Sequence, residues 1–293
     1  MNDPTLGDER KNPTVELKVT RVEIDDVGVA TVWLHRPERH NSWTARMHAE
    51  YRWIMADLEA NPDVRVAVLT GSGSTFCVGA DSKALSGYVK TEGFDTGLPS
   101  EAARPGYGVR SEFDADVAWQ LGLRFPLICA VNGSCAGVAL AMAAYSDIRF
   151  AVTGAKVTTA TPKLAMPAEY GLSWILPRLI GLTNAADILL SGRILLSEEL
   201  AGMGFFNQVF SPEDFQDGVY NYARTLAELS PEATKTTKRQ LYEDMLHSDP
   251  ARSVEQSKAL IGQLMSMPDY EEGVRALIEK RAPRFGAQRA HSD

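Results

Sequence analysis

Cysteine and histidine are scarce in this chain, which limits the chemistry that its side chains can perform. The 293 residues include 3 cysteines and 5 histidines. The cysteines are Cys77, Cys129 and Cys135. Each lies in an apolar or small-residue run and none has zinc-ligand spacing, so we expect buried, reduced thiols in a cytoplasmic protein. His35, His40 and His48 have no carboxylate at ligand spacing, and we therefore expect no metal site.

Positive charge is in the minority. Lys and Arg total 30 against 38 Asp and Glu, which gives a formal net charge of −8. A broad nucleic-acid-binding face needs clustered Lys and Arg, so this composition argues against a nucleic-acid partner and leaves room for a local anion site. Hydrophobic residues make up 44% and charged residues 23%, shares that are typical of a folded globular protein rather than of a disordered chain.

Common nucleotide-binding and hydrolase motifs are absent as well. The chain contains no GxGxxG, Walker A or GxSxG segment, and Ser134 has no histidine or acid close to it in sequence. One uncharged run of 22 residues lies between Arg124 and Asp147. A membrane span needs about 20 apolar residues, but Pro126 and Asn132 interrupt this run. We expect a strand, a turn and a buried helix there, and no contact with a membrane.

Strands and helices alternate in the pattern up to Ser211, and the pattern beyond it is wholly helical. We therefore predict an α/β core followed by a helical part. The predicted parts are a mobile N-terminal tail over residues 1–13, the core over 14–211 and a C-terminal helical subdomain over 212–293. Within the core, the predicted elements include a hairpin around 25–28, a helix from Asn41 or Ser42 to Ala60, and a helix over 112–123.

Two turns carry the pattern that is most informative about chemistry. Residues 76–81 (FCVGAD) follow a predicted strand, and residues 131–138 (VNGSCAGV) follow another. Small residues beyond a strand end leave backbone N–H groups that can point into a cavity. Two such donors aimed at one carbonyl oxygen form an oxyanion hole, which stabilises an enolate. Taken alone, each turn is at least as typical of an ordinary connection between a strand and a helix.

Further short segments follow one another along the chain. They are 34–37 (LHRP) with Asn41, 66–71 (VAVLTG), 126–137, 143–147, 176–181 (LPRLIG), 190–193 (LSGR) and 198–205 (EELAGMGF). In order and spacing they resemble the enoyl-CoA hydratase/isomerase (crotonase) family over almost the whole chain. The resemblance implies a spiral of ββα units with a C-terminal helical trimerisation subdomain, assembled as a homotrimer or a dimer of trimers. It also implies an acyl-CoA thioester substrate, with coenzyme A as part of that substrate and no separate cofactor.

The resemblance also assigns the binding residues. By position, the two oxyanion-hole donors are the backbone N–H groups of Ala80 and Val138. The family often has three successive glycines at the second turn, whereas this chain has Gly137-Val138-Ala139, which keeps the N–H group but changes the space for substrate. The residues expected to contact the CoA ester are Arg36, Arg39, Val78, Gly79, Asp81 and Gly137. Further cation candidates for its phosphates are Lys280, Arg281 and Arg284. Asp81 is also a candidate helix cap.

The acidic residues distinguish the reactions within the family. Hydratases of the family have two glutamates, and the matching positions here are Ala141 and Thr161. Glu169 lies where dienoyl-CoA isomerases and related branches have an aspartate in the same cavity, so the resemblance implies that Glu169 is the acid–base residue. Its apolar and aromatic neighbours in sequence favour a desolvated carboxylate with a raised pKa. Alone, Glu169 is also typical of a solvated turn or of an acid ahead of a helix.

One carboxylate is enough to move a double bond, whereas hydration of an enoyl thioester uses two. The pattern therefore favours an isomerase. The alternatives are an enoyl-CoA hydratase (a lyase), an acyl-CoA hydrolase, a ring-opening C–C hydrolase and a non-catalytic acyl-CoA-binding protein. Glu112 and Asp116 are candidates for a second acid, and Tyr145, Tyr170 and Trp174 for the wall of the acyl pocket. The acyl group stays open: straight-chain, branched, aromatic or steroid-derived.

Overall fold

A six-stranded sheet lies at the centre of the described residues. The computed structural model describes residues 15–81 and 111–286, so the predicted tail over 1–13 lies outside them. The described strands are β1 (Thr20–Ile24), β2 (Val29–Leu34), β3 (Val66–Gly71), β4 (Leu127–Val131), β5 (Cys135–Ala136), β6 (Ile148–Val152), β7 (Lys156–Thr158), β8 (Leu195–Leu196) and β9 (Gln208–Phe210). The large sheet has the order β1-β2-β3-β4-β6-β9; β1 and β2 are antiparallel, and all other neighbours are parallel.

The remaining strands form a second, smaller sheet in the order β5-β7-β8. β5 and β7 are parallel, and β7 and β8 are antiparallel. These strands have two or three residues each, which is too short for an alternating pattern to reveal them in the sequence. This small sheet holds the turn after β4 against the segment that precedes Glu169.

Helices surround the two sheets. In the described residues they are α1 (Ala45–Ala60), α2 (Val138–Ala144), α3 (Leu172–Ser191), α4 (Ser197–Gly202), α5 (Phe215–Ala227), α6 (Pro231–Asp244), α7 (Pro250–Met265) and α8 (Pro268–Glu279). The predicted α/β class is confirmed, and the described elements after β9 are all helical.

The first helix begins later than the sequence pattern predicts. Thr44 has an extended backbone and its side chain accepts a hydrogen bond from the Met47 N–H group at 3.1 Å, so Thr44 is the N-cap. Asn41 instead donates to the carbonyl oxygens of Ser72 and Thr75 at 2.9 and 2.7 Å. The predicted start at Asn41 or Ser42 is wrong because Asn41 fastens the loop after β2 to the loop after β3.

One other helix prediction also differs from the structure. The predicted helix over 112–123 is wrong: two short 3₁₀ helices, Ser111–Phe113 and Ala118–Gly122, occupy that segment. Val117, between them, has a φ of 57°, which no α-helix accommodates. α3 consists of two helical segments that meet at a kink at Gly181, where φ is 76° and the backbone is not helical.

The large sheet is covered on both faces, which is why its central strands are almost uniformly apolar. One face carries Val66, Val68 and Ile128, which pack with Phe215 and Val219 of α5. The opposite face contributes the alternate residues of the same strands to the main core, together with α1 and α2. The uncharged run between Arg124 and Asp147 folds as β4, β5 and α2, as predicted. Across residues 15–81 and 111–286, no helix is both long and apolar enough to cross a membrane.

A buried ion pair joins the C-terminal helices to the core. The Lys238 ammonium of α6 donates to Asp147 Oδ2 at 2.7 Å and to the carbonyl oxygens of Gln120 and Phe125 at 3.1 and 3.0 Å. The other carboxylate oxygen of Asp147 accepts from the Tyr242 hydroxyl at 2.7 Å. Each charge therefore has several hydrogen-bonding partners, as a buried charge requires.

Replacing Lys238 by Met should destabilise the fold, because Asp147 would keep its charge in a largely buried place without its cation. We expect a loss of about 3 kcal/mol in the free energy of unfolding, measured by urea denaturation at a fixed protein concentration. The matched control is Lys235→Met on the same helix, where Lys235 pairs with Glu232 at 3.3 Å in solvent. Its expected loss is at most about 0.5 kcal/mol. Equal losses in the two variants would contradict a special role for Lys238.

Candidate active site

The two turns predicted to form the site lie side by side. A parallel bridge pairs Cys77 of the first turn with Cys135 of the second. The Cys77 N–H group donates to the Ser134 carbonyl oxygen at 3.0 Å, and the Ala136 N–H group donates to the Cys77 carbonyl oxygen at 2.9 Å. Since β3 and β4 are neighbours in the sheet, their following turns are brought together at one edge.

Glycine is required where these turns come closest. Gly79 has a φ of 89°, and a Cβ atom there would lie 3.1 Å from the Ala136 carbonyl oxygen. Gly137 has a φ of 59°, and its Cβ would lie 3.8 Å from the Cα of Gly79. A side chain at either position would therefore be strained and would also fill the space between the turns.

The predicted donors both have backbone N–H groups that the fold leaves available. Trp43 pairs with Ala80 by donating to the Gly79 carbonyl oxygen at 2.7 Å and accepting from the Asp81 N–H group at 2.9 Å. In this pairing the N–H group of Ala80 faces away from Trp43. Val138 is the first residue of α2, where N–H groups lack helical partners. Among the described residues, no backbone carbonyl accepts from either group.

The structure brings Glu169 to these turns. Its Oε1 atom lies 2.9 Å from the position that a Cβ on Gly137 would occupy, and its carboxyl carbon lies 3.9 Å from that position. Burial raises the pKa of Glu169, as its sequence neighbours suggested. The N-cap of α3 is Gly171, two residues after Glu169 in the chain. A role of Glu169 as an acid ahead of this helix stays an alternative prediction.

The two positions that hold glutamates in hydratases are buried and uncharged. Ala141 lies fully buried inside α2, and Thr161 is 3% exposed. The Thr161 hydroxyl has no hydrogen-bond partner within the part of the chain that the structure describes. Neither position can move a proton for the substrate, so the structure leaves Glu169 as the acid closest to Gly137 and Val138 among the groups predicted from sequence.

A cavity of about 430 Å³ lies between the 3₁₀ segment around Phe113 and the start of α3. Its lining includes the two residues that follow Glu169 in the chain, Tyr170 and Gly171. The three aromatic residues predicted for the acyl pocket, Tyr145, Tyr170 and Trp174, all line it. The Tyr145 hydroxyl donates to the Gly171 carbonyl oxygen at 3.3 Å, which holds the start of α3 against α2.

The residues predicted to contact the CoA ester lie around the first turn. Arg36 donates to Asp81 Oδ2 at 3.2 Å and to the Ser42 carbonyl oxygen at 2.7 Å, so these two predicted residues hold each other. Val78 is 40% exposed although it is apolar, and its N–H group donates to the His40 carbonyl oxygen next to Arg39, at 3.3 Å. The contact of Arg36, Arg39, Val78 and Asp81 with coenzyme A stays a prediction. Asp81 is the last described residue before position 111, so its predicted helix cap lies outside the described residues.

The C-terminal cation candidates lie at the end of α8. Arg281 forms ion pairs with Glu272 and Glu279 at 2.6 and 2.5 Å. The Arg284 backbone N–H group donates to the same Glu272 carboxylate at 2.8 Å. The role of Lys280, Arg281 and Arg284 in phosphate binding also stays a prediction.

Sequence reasoning missed one pair of polar side chains near the cavity. His48 Nε2 of α1 lies 3.6 Å from Asp116 Oδ1, which belongs to the segment between the two 3₁₀ helices. Burial lowers the pKa of His48, and the Asp116 charge partly offsets that effect. His48 also makes an edge contact with Trp43, with 6.0 Å between the ring centroids. No local motif marks this pair, because its members are distant in sequence.

Known proteins share this sequence and this architecture. The family model for enoyl-CoA hydratase/isomerase matches residues 25–288. "Probable enoyl-CoA hydratase EchA12" of Mycobacterium tuberculosis is 35% identical, and the match covers 88% of this chain and 89% of that relative. The 1,2-epoxyphenylacetyl-CoA isomerase of Escherichia coli K12 is 31% identical, with 88% of this chain and 95% of the relative covered.

A solved structure supports the same assignment at the level of the fold. The crystal structure of an enoyl-CoA hydratase from Bacillus anthracis superimposes with a TM-score of 0.79 at 23% identity. The match covers 92% of this chain and 99% of that structure. With the family model matched over most of its length, the chain belongs to the enoyl-CoA hydratase/isomerase family.

Proposed function

We propose that this protein isomerises the double bond of an acyl-CoA thioester. The N–H groups of Ala80 and Val138 bind the thioester oxygen, and Glu169 moves the proton. The observation that carries the proposal is the position of Glu169, whose Oε1 atom lies 2.9 Å from the site of a Cβ on Gly137. The carboxylate therefore faces the backbone between the two donors.

The reaction needs no other group. The Glu169 carboxylate takes a proton from the carbon next to the unsaturated system, and the electron pair of that C–H bond enters a dienolate. The negative charge resides mainly on the thioester oxygen, where the two N–H groups stabilise it. The same carboxyl group returns the proton at the other end of the dienolate. No water or oxidant is consumed, and coenzyme A remains part of the substrate and product.

The raised pKa of Glu169 suits this role. A general base is most effective when its pKa approaches the working pH, since a more basic carboxylate accepts a proton more readily. Burial disfavours the ionised form and so raises the pKa of Glu169. Among the described residues no cation pairs with this carboxylate, so nothing there opposes the effect of burial.

A second candidate function is hydration of an enoyl-CoA. It is favoured by the name of the Mycobacterium tuberculosis relative and by the Glu112 and Asp116 carboxylates, which line the same cavity as Tyr170. One of these would have to supply the second acid that Ala141 and Thr161 do not provide. Isomerisation is the simpler proposal because it needs Glu169 alone.

Mass spectrometry of the products separates the candidates. Incubation with a panel of 2-enoyl-CoA and 3-enoyl-CoA esters should give a product of unchanged mass whose double bond has moved. A product that gains the mass of one water would instead establish the hydratase. Release of free coenzyme A would identify a hydrolase, and tight binding of the esters without any product would identify a non-catalytic binding protein.

Glu169→Gln should lower kcat by about 10³-fold, because the amide cannot accept the proton. The affinity for an unreactive CoA ester should change little, since the two N–H donors and the cavity remain. Steady-state kinetics and calorimetry measure the two effects. Glu213→Gln, which changes an exposed glutamate distant in sequence from the site, is the control and should keep full activity. A fully active Glu169→Gln variant would show that another group is the base.

The activity should also depend on pH in one direction. Only ionised Glu169 can accept a proton, so kcat/KM should fall as the pH falls through the pKa of this residue. Because burial raises that pKa, the fall should lie above the range of an ordinary solvent-exposed glutamate. A pH–rate profile in a constant-ionic-strength buffer tests this. A profile that is flat down to the ordinary range would contradict a buried base.

We also infer that the chain assembles as a homotrimer, alone or as a dimer of trimers. The last two helices carry apolar side chains in solvent: Val254 and Ile261 of α7 are 53% and 57% exposed, and Leu277 and Ile278 of α8 are 79% and 75% exposed. Large exposed apolar side chains in one region are typical of an interface. Burial of these helices between copies would remove this surface from water.

A further inference from the structure

The cavity that Tyr170 and Gly171 line, directly after Glu169 in the chain, has walls that suit a ring better than a flexible chain. Four aromatic side chains line it: Phe113, Tyr145, Tyr170 and Trp174. Aromatic pairs in edge-to-face or offset geometry attract each other beyond what the burial of area provides. An aliphatic chain gains the burial but not this additional attraction, and it also loses more conformational freedom when it is bound.

The cavity also contains an acceptor away from the reacting carboxylate. Asp116 lines it, and its side chain is 62% exposed. Tyr170 lies near both carboxylates: burial raises the pKa of Tyr170 most, and the charges of Glu169 and Asp116 raise it further. Asp116 lines the cavity together with Tyr170, whereas Glu169 does not line it.

The His48 contact limits where the Asp116 carboxylate can lie. His48 Nε2 is 3.6 Å from Asp116 Oδ1, and only 23% of the His48 side chain is exposed. His48 in turn rests on Trp43, and Trp43 pairs with Ala80, the first proposed oxyanion donor. These contacts connect Asp116, through His48 and Trp43, to the turn that would hold the thioester.

A carboxylate so placed can recognise only one kind of group. An ionised carboxylate is an acceptor, so its partner in the substrate must be a donor, such as a hydroxyl group. We propose that the cavity selects an acyl group that contains a ring and, at the end away from the thioester, a hydroxyl group that donates to Asp116. This inference rests on the proposed function only in that the acyl part of a CoA thioester enters the cavity.

Binding of unreactive esters tests the inference without any catalytic step. The probes are nonanoyl-CoA, 3-phenylpropanoyl-CoA and the 3-hydroxyphenyl and 4-hydroxyphenyl analogues of the latter, all with nine acyl carbons. Calorimetry with the full chain should show 3-phenylpropanoyl-CoA bound about fivefold more tightly than nonanoyl-CoA. At least one hydroxylated analogue should bind about fivefold more tightly again, a gain kept modest because Asp116 is largely in solvent.

Asp116→Ala should remove the preference for the hydroxyl group and leave the affinity for 3-phenylpropanoyl-CoA unchanged, which also shows that the variant is folded. The matched control is Asp114→Ala, since Asp114 is an exposed aspartate in the same segment. Its hydroxyl preference should equal that of the unchanged protein.

Three results would overturn the inference. These are nonanoyl-CoA binding as tightly as the ring esters, no gain from either hydroxyl group, and an equal loss of preference in the two variants. Absence of binding by all four esters would instead overturn the proposed function and, with it, this inference.

Discussion

The backbone pairing of Cys77 with Cys135 is the contact on which the site depends. It joins the turn after β3 to the turn after β4 and so brings the N–H groups of Ala80 and Val138 to one place. Glycine suits positions 79 and 137, where φ is positive and a Cβ atom would lie 3.1 Å from the Ala136 carbonyl oxygen and 2.9 Å from Glu169 Oε1, respectively. The side chains of Cys77 and Cys135 are also small, which suits the close approach of the two turns. Burial raises the pKa of Cys77 to about 12, so its thiol stays neutral beside the site.

The electrostatic character of the site depends on which of its charged side chains already form an ion pair. Arg36, near the first turn, is bonded to Asp81, and the fold thereby keeps a half-buried cation and a buried anion together. Glu169 reaches Gly137 from a third segment, after β7, and brings no cation with it among the described residues. A basic carboxylate and neutral N–H donors are the combination that an enolate requires, because a fixed positive charge next to Glu169 would lower its basicity.

Much of the site could be predicted from sequence because it is built from backbone turns. Gly79-Ala80-Asp81 and Gly137-Val138 are contiguous, and their place in the sheet follows from the strands before them. Glu169 is predicted as the base chiefly through its place in the family pattern, since its apolar neighbours alone do not separate a base from an ordinary turn carboxylate. The structure then shows what the pattern cannot: the carboxylate lies over Gly137.

The misjudged features share a physical reason, which is that tertiary contacts overrode local preference. The segment 112–123 has a helical pattern, but a positive φ at Val117 divides it so that Phe113 and Asp116 face the cavity. Asparagine is a favourable helix N-cap, yet the side-chain amide of Asn41 donates hydrogen bonds to two loop carbonyl oxygens instead. The contact of His48 with Asp116 joins residues that are distant in sequence, and no spacing rule describes such a pair.

Lys238 connects the C-terminal helices to the segment that forms part of the cavity wall. Its ammonium binds the carbonyl oxygen of Gln120, in the 3₁₀ helix that also places Ala118 on the cavity wall, and Leu246 just beyond α6 lines the same cavity. The C-terminal helices therefore cannot be exchanged without affecting the cavity. A chimera that takes these helices from a relative would replace Lys238 and Leu246 together, and would therefore change both the support and part of the wall of the cavity.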